Sequence, residues 1–286
     1  MPFLKNPGWL EKYDFPFKTV SEIPDDVFAR INHSLDALQT APPLVSIIIS
    51  AWNEEVTILK TIASLADTIA VCPLEIIVVN NNSTDRTQET LDRLHIRSFF
   101  QPVQGWGPAR QMGLEQARGK YILMADADCL YPSGWVSHMM MDLVKSGVAC
   151  VYGRYSFIAE PGYPRWKLAI MERLKDSIAA LRQVKRPFLN AYGMSMGFLR
   201  EQALEVGFVM HKIRGEDGRL CYDLMRFGRI QPMTATSARV WTGPRTLQRD
   251  GSIGRALLLR LRKELGRFGS LLKPLPLHDT KTSQNE

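Results

Sequence analysis

Short apolar runs alternate with stretches of helical periodicity through the first half of the chain. The runs occupy residues 44–50, 75–79 and 121–125, and residues 97–101 are a candidate for a further strand. A helical pattern follows each of the first three of these four segments in chain order. Apolar runs without polar alternation are typical of strands buried on both faces of a parallel sheet. The alternation therefore predicts βαβ units and an α/β fold, with a mostly parallel sheet flanked by helices.

The two ends of the chain and its second half are less regular. The first 42 residues carry five prolines and predict a helix only over 24–38, so we expect an arm laid over the domain, with a separate binding module as the alternative. Later patterns predict helices over 135–146, 164–182, 215–227 and 253–268, an extended segment over 148–157 and a late strand over 237–242. Ser83 or Thr84 is expected to cap the helix that ends near residue 94.

These patterns suggest three regions. They are an arm (1–42), a main domain (43–250) and a basic helix with a polar tail predicted to be disordered (251–286). The main domain divides at residue 131 into two halves.

Polar side chains collect where three of the predicted strands end. Trp52 and Asn53 follow the first strand, Asn80 and Asn81 the second, and Asp126 the central one. Because the carboxyl ends of parallel strands meet at one edge of a sheet, we expect these side chains to lie together and to bind a ligand. Tryptophan offers a face on which a base stacks, and asparagine both donates to and accepts from a base edge. Arg110, on the helix before the central strand, could reach a ribose or a phosphate.

Asp126 and Asp128 are separated by one residue at the end of the central run. Residues two apart in extended backbone point the same way, so both carboxylates could face one divalent cation. Mg²⁺ and Mn²⁺ prefer such ligands together with phosphate oxygens of a substrate. The alternative is that this D-A-D-C segment is only a solvated junction between a strand and a turn.

Composition narrows the class of protein. The 286 residues are 45% apolar and 23% charged, as in ordinary soluble domains, and the net charge of +7 favours an anionic partner. No basic stripe interleaved with aromatic residues is present, so we expect no nucleic-acid partner. The four cysteines form no C-x-x-C pair, and no signal peptide or membrane-spanning run occurs. We therefore expect a cytoplasmic protein whose membrane contact, if any, is peripheral on the inner face.

Six ordered blocks closely resemble the family 2 glycosyltransferases with a GT-A fold. The opening P-x-V-S-I-I-I-x-x-x-N-E-E is matched by residues 43–55, and E-I-I-V-V-D-D/N-x-S-T-D-x-T by residues 75–87. G-x-x-x-A-R-N-x-G is matched by residues 105–113, and the block that ends in D-A-D by residues 117–128. The last two blocks, G-x-x-M-x-x-x-R and G-E-D-x-x-L, are matched from residues 193 and 215.

The resemblance implies a Rossmann-type fold with a nucleotide-sugar half and an acceptor half, and it assigns roles to individual residues. Asp217, next to Glu216, would be the general base, Asp128 would ligate Mg²⁺ or Mn²⁺, and Asp126 would hold the ribose side. Trp52 would stack on the base, and Asn80 or Asn81 would hold the base edge. The implied nucleotide-sugar site comprises Ser50, Trp52, Asn53, Glu54, Asn80, Asn81, Arg110 and Asp126. Arg239 and Arg245 could balance the diphosphate charge, or they could be surface charges.

The chemistry of sugar transfer needs these residue types. A leaving nucleoside diphosphate needs its developing charge stabilised, and the acceptor hydroxyl needs a carboxylate to take its proton. A single in-line displacement of this kind inverts the anomeric centre. The alternative for Glu216 and Asp217 is an acidic pair at a helix N-terminus, favoured by the helix dipole.

Two departures from the family pattern bear on the donor and on the type of enzyme. Asn80 stands where aspartate is frequent, so the base need not be uracil, and UDP-, GDP- and dTDP-linked donors all stay open. The Q-x-x-R-W motif of processive members is absent, which favours a small non-processive enzyme of cell-envelope or polysaccharide synthesis. The acceptor would be a glycan or a lipid-linked group. For a lipid-linked acceptor, the basic helix predicted over 253–268 could contact the membrane.

Two rival functions share parts of this pattern. A nucleotidyltransferase would need a Gly-rich basic loop after the first strand, where this chain has the acidic segment A-W-N-E-E. A catalytically silent nucleotide-binding or scaffold protein of the same fold is the other rival, and the three aspartates 126, 128 and 217 argue against it.

Overall fold

The computed structural model describes residues 4–39, 41–69, 71–210, 215–245 and 247. The chain divides into two compact units, Met1–Pro244 and Arg245–Glu286. The helix predicted over 253–268 and the tail after it lie outside the described residues.

The elements of the first unit alternate as the apolar pattern predicts. The strands are β1 (Val45–Ala51), β2 (Leu74–Asn80), β3 (Arg97–Phe100), β4 (Tyr121–Asp126), β5 (Cys129–Leu130), β6 (Val148–Tyr152), β7 (Tyr155–Phe157), β8 (Met196–Leu199), β9 (Arg229–Pro232) and β10 (Val240–Thr242). The α-helices are α1 (Asp25–Leu38), α2 (Thr57–Ala66), α3 (Thr87–Asp92), α4 (Trp106–Gln116), α5 (Trp135–Leu143), α6 (Arg165–Lys185), α7 (Arg200–Val206) and α8 (Glu216–Leu224). Short 3-10 turns occupy Gly8–Tyr13, Val20–Glu22, Pro187–Asn190, Gly193–Ser195, Met225–Phe227 and Thr236–Ala238.

Among the described residues, seven strands form one large sheet in the order β3-β2-β1-β4-β8-β6-β9. Only β8 runs antiparallel to its neighbours β4 and β6, and the other pairings are parallel. In the centre, Ile48 of β1 lies opposite Ile77 of β2 and Met124 of β4, and all three side chains are buried. The predicted α/β fold with a mostly parallel sheet is therefore confirmed.

A small second sheet has the order β5-β10-β7. The sequence predicts one extended segment over 148–157. The structure divides this segment into β6, which joins the large sheet, and β7, which joins the small one. The chain turns between them at Gly153, whose N–H donates to the Ser195 carbonyl at 2.8 Å. A Cβ at Gly153 would lie only 2.1 Å from Ser195 Oγ, so the close approach requires glycine.

The N-terminal arm packs on the main domain. Leu10, Val20, Phe28 and Leu35 belong to the same buried cluster as Val45 of β1. Helix α1 also contacts α2.

Several predicted boundaries are wrong for local reasons. Helix α3 begins at Thr87, because the Asp85 carboxylate accepts from the Thr87 N–H at 3.0 Å, while Ser83 Oγ accepts from the Asn53 N–H. The expected cap by Ser83 or Thr84 is therefore not formed. The late strand begins at residue 240 rather than 237, because Thr236–Ala238 forms a 3-10 turn.

Candidate active site

The strand ends that the sequence singles out meet at one edge of the large sheet. Ser50, near the end of β1, pairs in register with Asp126, the last residue of β4, and Ala51 pairs with Asn80 of β2. The sheet thus brings together the segments of the predicted nucleotide-sugar site. This edge is where doubly wound sheets bind their ligands.

The segment after β1 lies beside the segment after β2 at this edge of the sheet. Trp52 exposes 51% of its surface, as a stacking platform would. Asn53 and Asn82 are the described non-glycine residues with positive φ, 56° and 57°, a region that asparagine tolerates better than most residues. Asn53 Oδ1 accepts from the Thr84 N–H at 2.8 Å, and the Glu54 N–H donates to Thr87 Oγ1 at 2.9 Å. These bonds hold the two segments together.

The side chains of Asn80 and Asn81 are buried and bind within the protein. Asn80 Nδ2 donates to Gln88 Oε1 at 2.8 Å, and its Oδ1 accepts from the Ser83 N–H at 3.0 Å. Asn81 makes a reciprocal pair with Gly105, accepting from its N–H at 3.1 Å and donating to its carbonyl at 3.0 Å. Asn81 thereby fixes the residue that precedes α4. Contact of either amide with a base edge stays a prediction. The amide would have to make that contact alongside the hydrogen bonds that it already forms within the protein.

Asp126 and Asp128 lie close together, but not as consecutive outward positions of one strand. Strand β4 ends at Asp126, and Asp128 lies in the turn that follows. The potential ligand atoms of Asp126, Asp128 and Cys129 are nevertheless within 4.8 Å of one another. Burial, opposed by Arg110 and reinforced by Asp128, raises the pKa of Asp126 to about 7.

The two aspartates fit a hard divalent cation better than Cys129 does. Carboxylate oxygens suit Mg²⁺ and Mn²⁺, whereas a thiol is a soft ligand. Cys129 is fully buried, which raises the pKa of its thiol well above the ordinary value, and its Sγ donates to Asp128 Oδ1 at 3.5 Å. We therefore assign the two carboxylates, without Cys129, as the candidate cation ligands.

Arg110 joins the two halves of the site. Its side chain is 5% exposed, its Nη1 donates to Glu216 Oε1 at 2.7 Å and to Asp217 Oδ1, and its Nη2 lies 3.4 Å from Asp126 Oδ1. One guanidinium from α4 therefore holds the end of β4 and the start of α8. Burial, reinforced by the Asp217 charge and opposed by Arg110, raises the pKa of Glu216. The sequence predicts that Arg110 contacts a ribose or phosphate, whereas in the structure its contacts are carboxylates.

Two residues that sequence reasoning missed shape this cluster. A Cβ on Gly193 would lie 2.1 Å from Arg110 Nη2 and 2.9 Å from Asp217 Oδ1, so only glycine leaves room for the pair. Tyr131 Oη accepts from the Asp126 N–H at 2.8 Å and donates to the Met194 carbonyl at 3.0 Å. Gly193 lies in a matched motif, which could have indicated a close approach, whereas nothing in the sequence marks Tyr131.

Arg239 makes its contacts away from the carboxylate cluster. Arg239 is buried, and its guanidinium donates to Asp176 Oδ2 at 2.7 Å, to Ser156 Oγ at 2.9 Å and to the Tyr155 carbonyl at 2.7 Å. With these bonds it stabilises the small sheet and α6 from within. Arg245 is exposed and belongs to the second compact unit, so its contact with a diphosphate stays a prediction.

A match to a family model shows which family the chain belongs to. The model of glycosyl transferase family 2 matches residues 46–207, which include every strand of the sheet edge described above. The chain belongs to glycosyl transferase family 2. The family resemblance read from the sequence is thereby confirmed.

Relatives in other organisms agree with this assignment. Glycosyltransferase AglE of Haloferax volcanii is 30% identical over 188 residues, which cover 61% of this chain and 59% of AglE. Beta-monoglucosyldiacylglycerol synthase of Nostoc sp. is 29% identical over 191 residues, 63% of this chain and 40% of the synthase. The chain thus spans about half the length of the curated relatives it matches.

Solved structures share the fold. A mannosyltransferase of Pyrobaculum calidifontis, solved with GDP-Man and Mn²⁺, is 20% identical with a TM-score of 0.53, covering 72% of this chain and 60% of its own. TarS 1–349 of S. aureus, solved with UDP, is 16% identical with a TM-score of 0.55, covering 70% of this chain and 60% of its own. At these identities the likeness shows the fold alone, and it confirms the predicted GT-A architecture.

The described helices show no candidate membrane span. None of those in the described part of the chain is both long enough and apolar enough to cross a bilayer.

Proposed function

We propose that this protein is an inverting glycosyltransferase that moves a sugar from a nucleotide-sugar donor to a hydroxyl of a glycan or lipid-linked acceptor. The observation that carries the proposal is the Arg110 cluster, in which one guanidinium holds Asp126 beside Glu216 and Asp217. Asp126 belongs to the half assigned to the donor, and the acidic pair belongs to the half assigned to the acceptor. Transfer requires these two groups to be held in a fixed relation.

Each group in the cluster has a role in this reaction. Asp217 accepts the proton of the attacking hydroxyl, and Glu216 beside it, more deeply buried, helps to fix the position of Arg110. Trp52 stacks on the nucleobase of the donor. With the general base Asp217 on one face of the reacting carbon and the leaving group on the other, a single displacement inverts the anomeric centre.

A divalent cation, Mg²⁺ or Mn²⁺, would be held by Asp128 with Asp126 nearby. When bound, it would supply charge stabilisation to the leaving diphosphate. The cluster suits such an ion, because the guanidinium of Arg110 meets three carboxylates and leaves their negative charge in excess. Asp126 holds the ribose side of the donor at the end of β4.

The names of relatives support a cell-envelope role without fixing the substrate. They include beta-monoglucosyldiacylglycerol synthase and a putative teichuronic acid biosynthesis glycosyltransferase of Bacillus subtilis, TuaG. We infer from them that the acceptor belongs to an envelope glycan or a lipid. A cytoplasmic location and membrane contact through residues 253–268 are part of the same proposal.

The donor is tested first by ligand-induced thermal stabilisation. UDP, GDP, CMP and dTDP are added singly, with and without Mn²⁺, to the wild-type protein and to Asp128→Ala. A nucleotide at 100 times its dissociation constant should stabilise by about 2.7 kcal/mol. We expect a cation-dependent shift with one nucleoside diphosphate that Asp128→Ala loses. If no nucleotide shifts the wild-type transition, the donor site is wrongly assigned.

The role of Asp217 as general base is tested separately with Asp217→Asn. We expect it to keep the nucleotide-induced shift and to lose sugar transfer by a factor of about 10² to 10⁴, the usual contribution of general base catalysis. Glu201→Gln is the matched control, because Glu201 also lies in the first turn of a helix and is exposed. If both variants keep full activity, Asp217 is only an acidic helix-terminal residue.

Two further readouts distinguish the rivals. Proton NMR of the product should show a β-linkage from an α-linked donor, and retention would contradict a single displacement. Nucleotide binding without turnover of any donor would favour the catalytically silent scaffold instead.

A further inference from the structure

Helix α6 presents a stripe of apolar side chains to solvent. It is 21 residues long, and its inner face buries Leu168, Ala169 and Met171. On the opposite side Trp166, Ile170, Leu181 and Val184 are 46%, 49%, 71% and 82% exposed. Their positions follow the spacing of one helical face, with the exposed Arg173 and Ser177 between them. A second apolar stripe on a helix whose first stripe is already buried marks an interaction surface.

The charges of α6 are sorted by face. Its two acidic residues are bound inward, Glu172 to Arg165 at 2.6 Å and Asp176 to Arg239 at 2.7 Å. Lys167, Arg173 and Lys185 are exposed beside the apolar stripe. The outward side of α6 is therefore apolar and cationic.

We propose that the α6 outer face, formed by Trp166, Lys167, Ile170, Arg173, Leu181, Val184 and Lys185, rests on an anionic membrane surface. A helix with this pattern lies in the plane of the interface, with its aliphatic side chains below the headgroups and its basic groups among the lipid phosphates. Tryptophan is the residue that favours this boundary most, and Trp166 stands at one end of the stripe.

Charge complementarity selects a membrane over the other possible occupants. A two-fold contact between two copies of the chain would set this cationic face against itself. The segment from residue 248 to the end carries more basic than acidic residues, so it too would meet like charge. An anionic bilayer supplies both the apolar layer and the opposite charge.

The C-terminal end of the α6 outer face leads to the proposed base. After α6 the chain enters Pro187–Asn190, where the Phe188 ring packs on Tyr222 of α8 with centroids 5.1 Å apart. The Phe188 carbonyl would lie 3.1 Å from a Cβ at Gly218, the residue after Asp217. Leu181 and Val184 thus precede by a few residues the segment that packs on α8, which carries Asp217. This inference rests on the proposed function: the acceptor is carried by a lipid, and the protein binds it at the bilayer surface.

Vesicle cosedimentation of the full chain tests the surface without any substrate. The probes are vesicles of phosphatidylcholine alone and of phosphatidylcholine with phosphatidylglycerol, at low and high salt. We expect binding only to the anionic vesicles, and weaker binding at high salt. Leu181→Gln/Val184→Gln and Lys167→Glu/Lys185→Glu should each weaken partitioning by about tenfold or more, because each removes either the inserted apolar groups or the basic groups.

Ile69→Gln/Val71→Gln is the matched control. These residues are each 70% exposed and aliphatic, and they lie outside α6. The control should bind like the wild-type protein. The inference is overturned if the wild-type protein binds no vesicles, if the α6 variants bind normally, or if the control loses as much binding as they do.

Activity distinguishes this inference from the proposed function. The α6 variants should keep the nucleotide-induced thermal shift and the hydrolysis of the donor, since they change no residue of the site. If an α6 variant loses the thermal shift and donor hydrolysis as well as vesicle binding, its substitutions disrupt the fold and not a membrane surface. Normal donor turnover with unchanged vesicle binding would overturn the membrane inference alone.

Discussion

Arg110 is a buried cation whose partners all belong to the proposed chemistry. Arg110→Lys keeps the charge but loses the planar fork that reaches Glu216 and Asp126 from separate nitrogens. We expect kcat to fall by about 10²-fold, the effect of a misplacement of roughly 1 Å, with the donor KM changed much less. Arg110→Met should in addition destabilise the fold by about 3–5 kcal/mol, because it leaves buried carboxylates unpaired.

Steady-state kinetics and chemical unfolding check both variants. A rise in the donor KM at unchanged kcat would contradict the positioning role of Arg110. It would support instead the direct ribose or phosphate contact that the sequence predicts.

Gly193 tests the same cluster from its other side. A methyl group at this position would lie 2.1 Å from Arg110 Nη2, so Gly193→Ala must displace the guanidinium or the backbone. We expect Gly193→Ala to destabilise by about 1–3 kcal/mol and to lower kcat as Arg110→Lys does. Gly8→Ala is the control, because nothing lies within 4 Å of its added Cβ. Equal stability and activity of the two variants would show that the cluster is not tightly packed.

At the scale of elements, Glu75 ties together three parts of the sheet. This buried carboxylate of β2 accepts from Ser46 Oγ of β1 at 2.6 Å, from Arg97 Nη1 of β3 at 2.7 Å and from the Arg118 N–H before β4 at 2.7 Å. Burial alone would raise its pKa, but these three bonds outweigh burial and lower the pKa below the ordinary 4.5. The unfolded chain therefore binds the proton more readily than the folded one.

The sign of this shift gives a pH-dependent prediction. A lowered pKa in the folded state stabilises the protein above the unfolded value, and this contribution is lost as the pH falls through the folded value. Glu75→Gln should cost about 1–3 kcal/mol at pH 7, and the difference from wild type should shrink as the pH falls below about 4. Denaturant unfolding across this range measures it, with the exposed Glu11→Gln as control. A difference independent of pH would contradict a lowered pKa.

The elements also show what sequence patterns can and cannot predict. Buried strands such as β1 and β4 are predicted to within a residue or two, because their apolar runs are fixed by burial on both faces. The start of α3 is predicted wrongly, because Ser83 Oγ accepts from the Asn53 N–H of another segment while the Asp85 carboxylate accepts from the Thr87 N–H, and only the fold sets these partners. The Arg110 contacts join residues more than 100 positions apart, so no local pattern could indicate that this arginine pairs with the acidic pair.

At the scale of the whole molecule, the N-terminal arm shares a hydrophobic core with the main domain. Phe28 of α1 is buried, and the Arg93 guanidinium stacks on its ring 3.7 Å from the centroid. The Val20 N–H donates to Glu55 Oε1 at 2.7 Å, and Glu55 belongs to the same segment after β1 as Trp52. The arm therefore completes the core on one side and supports one wall of the proposed donor site.

This arrangement predicts that the arm and the main domain unfold together. Phe28→Ala should lower the stability of the whole first unit by about 3–5 kcal/mol, because it opens a cavity in a core shared by both. Leu4→Ala, at a side chain 77% exposed, should have no measurable effect. Circular dichroism and tryptophan fluorescence should report one coincident transition for the variant, shifted as a unit. A separate early transition, with the rest of the protein melting as in the wild type, would mean that the arm is an independent module, and nucleotide binding would then survive its loss.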